Sequence, residues 1–242
     1  MTKEFIDKYM LETIEIINSV DRQEIEKFIN ILFEAWENGK KIITMGSGGS
    51  ASTASHFAGD LLKTVANPSS DKEISDEKKG FKAICLNDNA ACLTAWINDS
   101  GWDKAYQGLL NTLLDEGDVI LLLSVHGGSG WSGNLVQAME LAKKRNAKIL
   151  GLAGFDGGKM KEIADACIVV PKDSTPHVEG FHSVLQHLIV WSLKEKIEQN
   201  LQNPIIPRLQ ELSRDCTDNL IKEQIQNLIK NYSQNPIIEE LK

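Results

Sequence analysis

The stretch GSGGSASTASHFAGD, from Gly46 to Asp60, ends with a histidine and a carboxylate, His56 and Asp60, that lie four residues apart. On a helix, this spacing places both side chains on one face. Two such groups suit a shared metal ion, or a histidine that a carboxylate orients for proton transfer. A surface hydrogen bond is the commoner explanation for an isolated pair, so other residues must decide between these interpretations.

A second group of candidate residues lies in TPHVEGFHSVLQHLIVW, which follows the last predicted strand. This segment carries His177, Glu179, His182 and His187, and so holds three of the five histidines of the chain. Histidine and carboxylate side chains are ligands for zinc and groups for proton transfer. Core or capping roles explain one or two of the histidines equally simply, and the sequence leaves both interpretations open.

The stretch that ends in Asp60 begins with a turn formed by Ser47, Gly48, Gly49 and Ser50, after a short apolar run. A helix that starts there directs free N–H groups at the turn, and the serine hydroxyls add donors for a phosphate. The loose dinucleotide-binding pattern also fits, but it requires an acidic residue about 20 residues further on. The next strand ends only at Asn87, so we favour a small phosphorylated ligand. The alternative is that a serine caps the helix and nothing binds.

A second turn of this kind, SVHGGSGWSGN, follows the apolar run DVILLL. Ligands of open α/β sheets bind at the carboxyl ends of strands, near a topological switch point, so we expect both turns to face one site. Ser124 and Ser129 are the candidate phosphate-binding residues of this turn. The N–H groups of its glycines and a protonated His126 are further donors for an anion.

Short apolar runs alternate with helical patterns along most of the chain. Strands that are apolar almost throughout, and that helices separate, predict a parallel sheet covered on both faces. We therefore predict an α/β fold with a doubly wound, five-stranded parallel sheet. The predicted strands are KIITM, FKAICLN, DVILLLS, KILGLAG and ACIVVP.

Helical patterns also flank the sheet region on both sides. Residues 1–39 predict two N-terminal helices, in which Asp21 and Glu24 have the spacing of a capping box and Gly39 suits the residue after the second helix. Residues 40–200 form the predicted sheet domain. Residues 201–242 predict a C-terminal helical appendage that packs on this domain or on a neighbour.

The composition is that of an ordinary soluble protein, with 42% hydrophobic residues, 25% charged residues and a formal charge of −8. It gives no general basic footprint, so we expect no nucleic-acid partner. No apolar run approaches the roughly 20 residues that cross a bilayer, and the charged amino terminus argues against a signal peptide. The four cysteines lack CxxC spacing, and we expect small buried hydrophobes in a cytoplasmic protein.

The first turn with HFAGDL, the stretch AKILGLAGFDGGKMKEIADACIVVP and the helix that bears His187 resemble the phosphoheptose isomerase family of the sugar isomerase (SIS) superfamily. The resemblance covers about residues 1–197 and excludes the appendage. It implies a flavodoxin-like SIS domain, a homotetramer with active sites between subunits, and commonly a bound zinc. In the second turn, Val125 and His126 stand where the family usually has hydroxyl residues.

The resemblance also implies individual roles. His56 matches a histidine ligand, and His187 matches the histidine that serves as ligand and proton donor. Asp60 falls where the family usually has its glutamate base, and Glu179 falls where a glutamine ligand is usual. Histidine and carboxylate groups form a plausible zinc shell, so these exchanges leave a metal site in place.

A regular helix would separate Glu179 and His187 by about 12 Å along its axis, which is too far for two ligands of one metal. Two explanations are open. Either Gly180 starts the helix late and leaves Glu179 on a bent segment, or the two residues serve different sites across an interface.

The phosphate of the substrate is expected at the two turns. Asn98 and Asp99 match a family Asn-Asp pair after the second strand, and the resemblance implies that they touch the sugar chain. A turn that ends a helix explains this pair equally well.

The resemblance implies an aldose–ketose isomerase that converts sedoheptulose 7-phosphate into a heptose 7-phosphate. Asp60 is the expected base and His187 the expected acid for proton transfer through an enediolate. A zinc held by His56, Asp60, Glu179 and His187 is expected to polarise the substrate oxygens. The alternative from another class is a sugar-phosphate sensor or assembly protein, which has the same fold but no turnover.

Overall fold

A computed structural model of the chain describes residues 2–65, 80–202 and 205–234. The strands pair in parallel to form one sheet, which confirms the predicted doubly wound architecture. In sequence they are β1 (Lys41–Gly46), β2 (Lys82–Cys85), β3 (Val119–Ser124), β4 (Lys148–Gly154) and β5 (Ala166–Val170). Their order across the sheet is β2-β1-β3-β4-β5, which is the flavodoxin-like order.

Helices connect the strands and cover the sheet. Within the described ranges, no helix combines the length and the apolar character that a membrane span requires. The helices are α1 (Thr2–Ser19), α2 (Arg22–Glu37), α3 (Gly49–Lys63), α4 (Ala90–Ser100), α5 (Ala105–Leu113), α6 (Gly133–Lys144), α7 (Gly158–Ile163), α8 (Thr175–Gln202), α9 (Ile205–Asp215) and α10 (Asn219–Gln234).

The topological switch point lies between β1 and β3, because β1 pairs with β2 on one side and with β3 on the other. Every residue of β3 is buried, as expected for a strand with helices on both faces. The register places Gly46 opposite Leu123, one residue before Ser124. The first and second turns therefore leave the sheet side by side, at the position where open α/β sheets bind ligands.

The N-terminal helices are tied to the sheet by a modified capping arrangement. Asp21 caps α2 as predicted, since its carboxylate accepts hydrogen bonds from the N–H groups of Gln23 and Glu24. The Glu24 carboxylate instead accepts a hydrogen bond of 2.8 Å from the N–H of Cys167 in β5. The cap thus connects α2 to the edge of the sheet.

Helix α8 begins earlier than the glycine in its sequence indicates. It starts at Thr175 and continues through Gly180 without interruption. The N–H of Val178 already donates to the carbonyl of Ser174, and Pro176 in the first turn suits a helix start. The explanation in which Gly180 starts the helix late is therefore wrong, and Glu179 and His187 are about 12 Å apart along a regular helix.

The chain separates into two compact units, Met1–Leu193 and Lys194–Lys242. The N-terminal helices belong to the same unit as the sheet. In the second unit, α9 and α10 pack against each other, as a helical appendage would. The division falls within α8, a few residues before the predicted boundary at residue 200.

The second turn packs closely against the segment that follows β4. The N–H of Met160 donates to the carbonyl of Gly127, and the N–H of Gly154 donates to the carbonyl of Val125. Gly127 has φ = +56°, and a Cβ atom at this position would lie 2.0 Å from the carbonyl oxygen of Gly157. Glycine is required here for both its conformation and its lack of a side chain.

We expect Gly127→Ala to destabilise the protein by at least about 2 kcal/mol more than Gly130→Ala, because the backbone must move to admit the new methyl group. Gly130 is a matched control, since it also has a positive φ of +68° but has no atom within 4 Å of the added Cβ. Thermal unfolding of both variants measures the difference. Equal losses of stability would show that conformation alone, and not the close contact, requires Gly127.

The cysteines are all free thiols, as expected from their spacing. Cys85 and Cys167 are buried, and Cys92 and Cys216 are half-buried. Burial, with the neighbouring charge of Glu24, raises the pKa of the Cys167 thiol to about 12. This thiol stays protonated at neutral pH and behaves as a small hydrophobe.

Candidate active site

Helices α3 and α8 bring His56, Asp60 and His187 together. The Oδ2 atom of Asp60 lies 3.4 Å from His56 Nε2 and 3.8 Å from His187 Nε2. The two imidazole rings meet edge to face, with their centroids 5.0 Å apart. The carboxylate is mostly buried, whereas about half of each histidine side chain is exposed. Both histidines thus present a ring nitrogen to one carboxylate oxygen at the protein surface.

This group has the donor set of a metal site. One ligand atom from each of its three residues lies within 4.8 Å of the other two. Two imidazole nitrogens and one carboxylate oxygen are zinc ligands, and catalytic zinc sites commonly use three protein ligands with an open fourth position. The residues present therefore fit zinc.

Glu179, the fourth predicted ligand, lies elsewhere. Its two carboxylate oxygens are each 2.7 Å from the position that a Cβ atom of Gly49 would occupy. The carboxylate therefore contacts the first turn of α3, where the helix dipole favours a negative charge. About two turns of α8 separate Glu179 from His187, so the structure groups three of the four predicted ligands and leaves Glu179 at the predicted anion-binding turn.

The first turn is not capped by a serine. Gly48, with φ = +61°, occupies the N-cap position of α3, and no side chain bonds to the cap. Ser50 is buried, and the Ser47 hydroxyl is buried without a hydrogen bond of normal geometry among the described residues. The alternative in which a serine merely caps this helix is therefore wrong, and both hydroxyls lie where the sequence predicts phosphate donors.

Two residues that the sequence did not single out as ligands fix the end of β1. The Asn87 side chain bonds both backbone groups of Gly46, at 3.2 Å to its N–H and 3.0 Å to its carbonyl. Its Nδ2 also donates to the Tyr106 hydroxyl, which in turn donates to the Gly46 carbonyl. Burial raises the pKa of the Tyr106 phenol, while Asn87 and the nearby Ser47 hydroxyl oppose the increase. The position of Asn87 two residues after the end of β2 was the signal that the sequence offered.

The second turn presents one buried and one exposed serine. Ser124 is buried at the end of β3, and Ser129 is exposed. The His126 ring packs against Phe155, with centroids 4.5 Å apart, and faces Trp131 at 6.3 Å. His126 therefore has aromatic neighbours from two loops, which sequence spacing did not reveal.

Asn98 and Asp99 lie in the last turn of α4, and both are exposed. The Asn98 amide donates a hydrogen bond of 2.8 Å to the Asp99 carboxylate. Gly101 ends the helix with φ = +82°. Their place at a helix end agrees with the simpler explanation, and a role in binding sugar stays a prediction.

His177 and His182 have structural roles within the first unit. His177 stacks on Tyr9 of α1 with ring centroids 3.9 Å apart, and its Nδ1 lies 2.8 Å from the Ser174 hydroxyl. His182 is fully buried and its Nε2 lies 3.2 Å from the Ala153 carbonyl, so the neutral ring donates from that nitrogen. Burial lowers the pKa of His182 to about 4.

Because of His182, we expect the stability of the fold to decrease at acidic pH. Because its pKa is lowered from 6.5 to about 4, the unfolded chain binds a proton that the folded chain excludes. The contribution of neutral His182 to the free energy of unfolding is fully present above pH 6.5. It falls with acidification to about pH 4, by a total on the order of 3 kcal/mol. Urea unfolding at about pH 7 and about pH 5 measures the part of this loss that occurs above pH 5, on the order of 2 kcal/mol. We expect His182→Gln to reduce the difference between the two pH values, and an unchanged difference would contradict the assignment.

The chain is similar in sequence to a protein family and to individual known proteins. Residues 5–154, more than half of the chain, match the family model described as the SIS domain. The phosphoheptose isomerase of a Nitratiruptor species is 36% identical over 189 residues, which are 77% of this chain and 95% of that relative. The chain belongs to the phosphoheptose isomerase family of SIS-domain proteins. This membership confirms the isomerase class that the resemblance implies.

Two further known proteins are similar to this chain, one in sequence and one in fold. The lincomycin biosynthesis protein LmbN of Streptomyces lincolnensis is 37% identical over 166 residues, but these cover only 58% of that relative and 66% of this chain. The solved structure of phosphoheptose isomerase GmhA from Neisseria gonorrhoeae aligns with a TM-score of 0.70 over 81% of this chain and all of that chain. Its sequence identity is 24%, so this match supports the fold alone.

Proposed function

We propose that the protein converts sedoheptulose 7-phosphate into a heptose 7-phosphate. The observation that carries the proposal is the convergence of His56 and His187 on one oxygen of Asp60, at 3.4 and 3.8 Å. A carboxylate beside two imidazoles supplies both groups that an aldose–ketose isomerisation requires, a base and an acid. The substrate is that of the family to which the chain belongs.

Asp60 acts as the base in this proposal. It takes a proton from the carbon beside the substrate carbonyl, and the electron pair of that C–H bond forms the enediolate. His187 gives a proton to the former carbonyl carbon, while the proton of the neighbouring hydroxyl passes to the former carbonyl oxygen, so that the carbonyl group moves to its neighbour without any net oxidation. The proton held by Asp60 then returns to His187 through solvent, which restores both groups. Because His187 is half exposed and Asp60 is mostly buried, the sugar would approach from the histidine side.

A zinc ion belongs to the proposal because three residues offer suitable ligand atoms. His56, Asp60 and His187 would hold it, with a fourth position open to the substrate. When bound, zinc would polarise the substrate oxygens and stabilise the enediolate charge. Glu179 lies against Gly49, and we assign it no ligand role within one subunit.

We also propose that the phosphate group of the substrate binds at the two turns. Gly48 and Gly49 begin α3, and the Ser47 hydroxyl and Ser50 are buried beside them, so N–H groups and hydroxyls lie together at the first turn. Ser124 and Ser129 belong to the adjacent second turn, because β1 and β3 are neighbours. The Glu179 carboxylate contacts the first turn, and an arriving phosphate must displace it or bind mainly at the second turn.

The proposal includes a homotetramer with sites between subunits. Large apolar side chains are exposed on two helices of the first unit: Phe5, Ile6, Met10, Leu11, Ile14 and Ile17 on α1, and Val184, Leu188 and Trp191 on α8. Several large apolar side chains exposed on one helix are typical of subunit contacts. Leu188 and Trp191 flank His187, so a partner covering them would border the site. Light scattering should give four subunits, and Trp191→Glu should give a smaller assembly.

A cytoplasmic location completes the proposal. The free thiols support it, because disulfides form in oxidising compartments and none is present among the four cysteines. Cell fractionation with an antibody against the protein tests this location.

The decisive experiment uses purified protein and sedoheptulose 7-phosphate, with and without added zinc. We expect heptose 7-phosphate to form, and solvent deuterium to enter the product at the carbon that receives the proton. Saturable binding without conversion, in folded and metal-loaded protein, would favour the sensor or assembly protein instead. The absence of both binding and conversion would refute the proposed substrate.

A further inference from the structure

Gln186 is the residue of α8 that directly precedes His187, and it is fully buried. Its Nε2 donates a hydrogen bond of 2.6 Å to Asp60 Oδ2, which is the same oxygen that faces His56 and His187. Nothing in its position along the sequence predicts this contact, since residues that are adjacent on a helix point in different directions. The tertiary packing of α8 on α3 creates it.

The other end of the same amide is unsatisfied. Gln186 Oε1 is buried and has no hydrogen-bond partner among the described residues. A buried carbonyl oxygen without a donor costs stability, whereas an apolar side chain of similar length would not incur this cost. Packing alone therefore does not explain a glutamine at this position. Groups that cost stability in this way are concentrated at functional sites.

We propose that Gln186 is a positioning residue that holds the Asp60 carboxylate toward the two histidines; this inference rests on the function proposed above. A carboxylate oxygen has two lone pairs. The Gln186 amide occupies one lone pair of Oδ2 and directs the other toward the histidine nitrogens. Metal-ligating groups are commonly oriented by a second hydrogen-bonding residue of this kind.

In this arrangement the two oxygens of Asp60 have different roles. Oδ2, which Gln186 holds and the histidines face, is the oxygen that would bind a metal. Among the described residues, Oδ1 has a single long hydrogen bond, 3.4 Å from the Thr64 hydroxyl. Oδ1 is therefore the oxygen left to take the substrate proton. Gln186 thus allows one short carboxylate to serve as both ligand and base.

The test replaces Gln186 by methionine, which keeps the length of the side chain but removes the donor. Gln199→Leu is the control, because Gln199 also lies on α8 and also donates to a carboxylate, that of Glu195 at 3.3 Å, but is exposed. Three quantities are measured: zinc affinity by competition with a chromophoric chelator, kcat and KM, and the melting temperature.

We expect Gln186→Met to weaken zinc binding by about 10- to 100-fold, the usual effect of removing a residue that orients a metal ligand. We expect kcat to fall with little change in KM, and the melting temperature of the zinc-free protein to stay the same or rise, because an unsatisfied buried carbonyl is lost. Gln199→Leu should leave all three quantities unchanged. Unchanged zinc affinity and kcat in Gln186→Met would overturn the proposal, as would a parallel fall in melting temperature and activity.

If the proposed function itself were wrong, the measurements would give a different result from a failure of the Gln186 inference. In that case the wild-type protein itself would neither bind zinc nor convert the sugar phosphate. A crystal structure of Gln186→Met then decides the inference, because positioning requires the Asp60 carboxylate to turn away from His56 and His187. A carboxylate that keeps its orientation in the variant would overturn it.

Discussion

Asp60→Asn should lower kcat by about 10³-fold while the protein stays folded, because general-base catalysis is typically worth 10²- to 10⁴-fold. The amide has the shape of the carboxylate but takes up no proton near neutral pH. It also weakens the proposed metal site, since a neutral amide oxygen replaces a charged one between His56 and His187. Steady-state kinetics of heptose formation and the zinc content of the purified variant measure the two effects separately.

Two further variants serve as comparisons for Asp60→Asn. Asp60→Glu should recover part of the activity, because it restores a carboxylate and the family usually has glutamate at this position. Asp218→Asn is the neutral control: its side chain accepts hydrogen bonds from Leu220 and Ile221 at the start of α10, and asparagine caps a helix equally well. If Asp60→Asn turned over at the wild-type rate, Asp60 could not be the base.

The second large effect is expected at His187. We expect His187→Gln to lower kcat by about 10²-fold or more, because the variant loses the proton donor and a ring nitrogen of the proposed metal site. About half of this side chain is exposed, so its loss should change the melting temperature little. Kinetic constants and thermal unfolding of the same preparation give both values. Full activity in this variant would exclude His187 from the reaction.

We expect the opposite pattern of effects on stability and kcat for His177→Gln, which changes another histidine of α8. His177 stacks on Tyr9 and bonds Ser174, and it has no contact with the Asp60 carboxylate among those that the structure describes. We therefore expect lower stability with a nearly unchanged kcat. Together, the two variants separate the catalytic histidine from the structural one. A similar loss of kcat in both would show that damage to α8 as a whole, and not the imidazole of His187, lowers activity.

The sequence by itself determined the helices and strands and the α/β class of the fold. Apolar runs such as those of β3 and β4 can be covered only between helices, and this requirement predicts a parallel sheet without any knowledge of contacts. The glycine and serine turns mark strand ends for the same local reason, since glycine permits a positive φ and helix starts leave N–H groups free. The pairing of His56 with Asp60 also follows from spacing on one helix.

Only the tertiary structure decided how α8 meets α3. His187 lies 127 residues after Asp60 in sequence, and its approach to that carboxylate depends on packing across the sheet. The same packing brings Gln186 onto Asp60 and takes Glu179 to Gly49, and no sequence period encodes either contact. Local patterns report which face of an element is apolar. The rotation and height at which two helices meet are fixed by side-chain packing across the whole core. For this reason the structure groups three of the four expected ligands, and the hydrogen bond from Gln186 to Asp60 was not predicted.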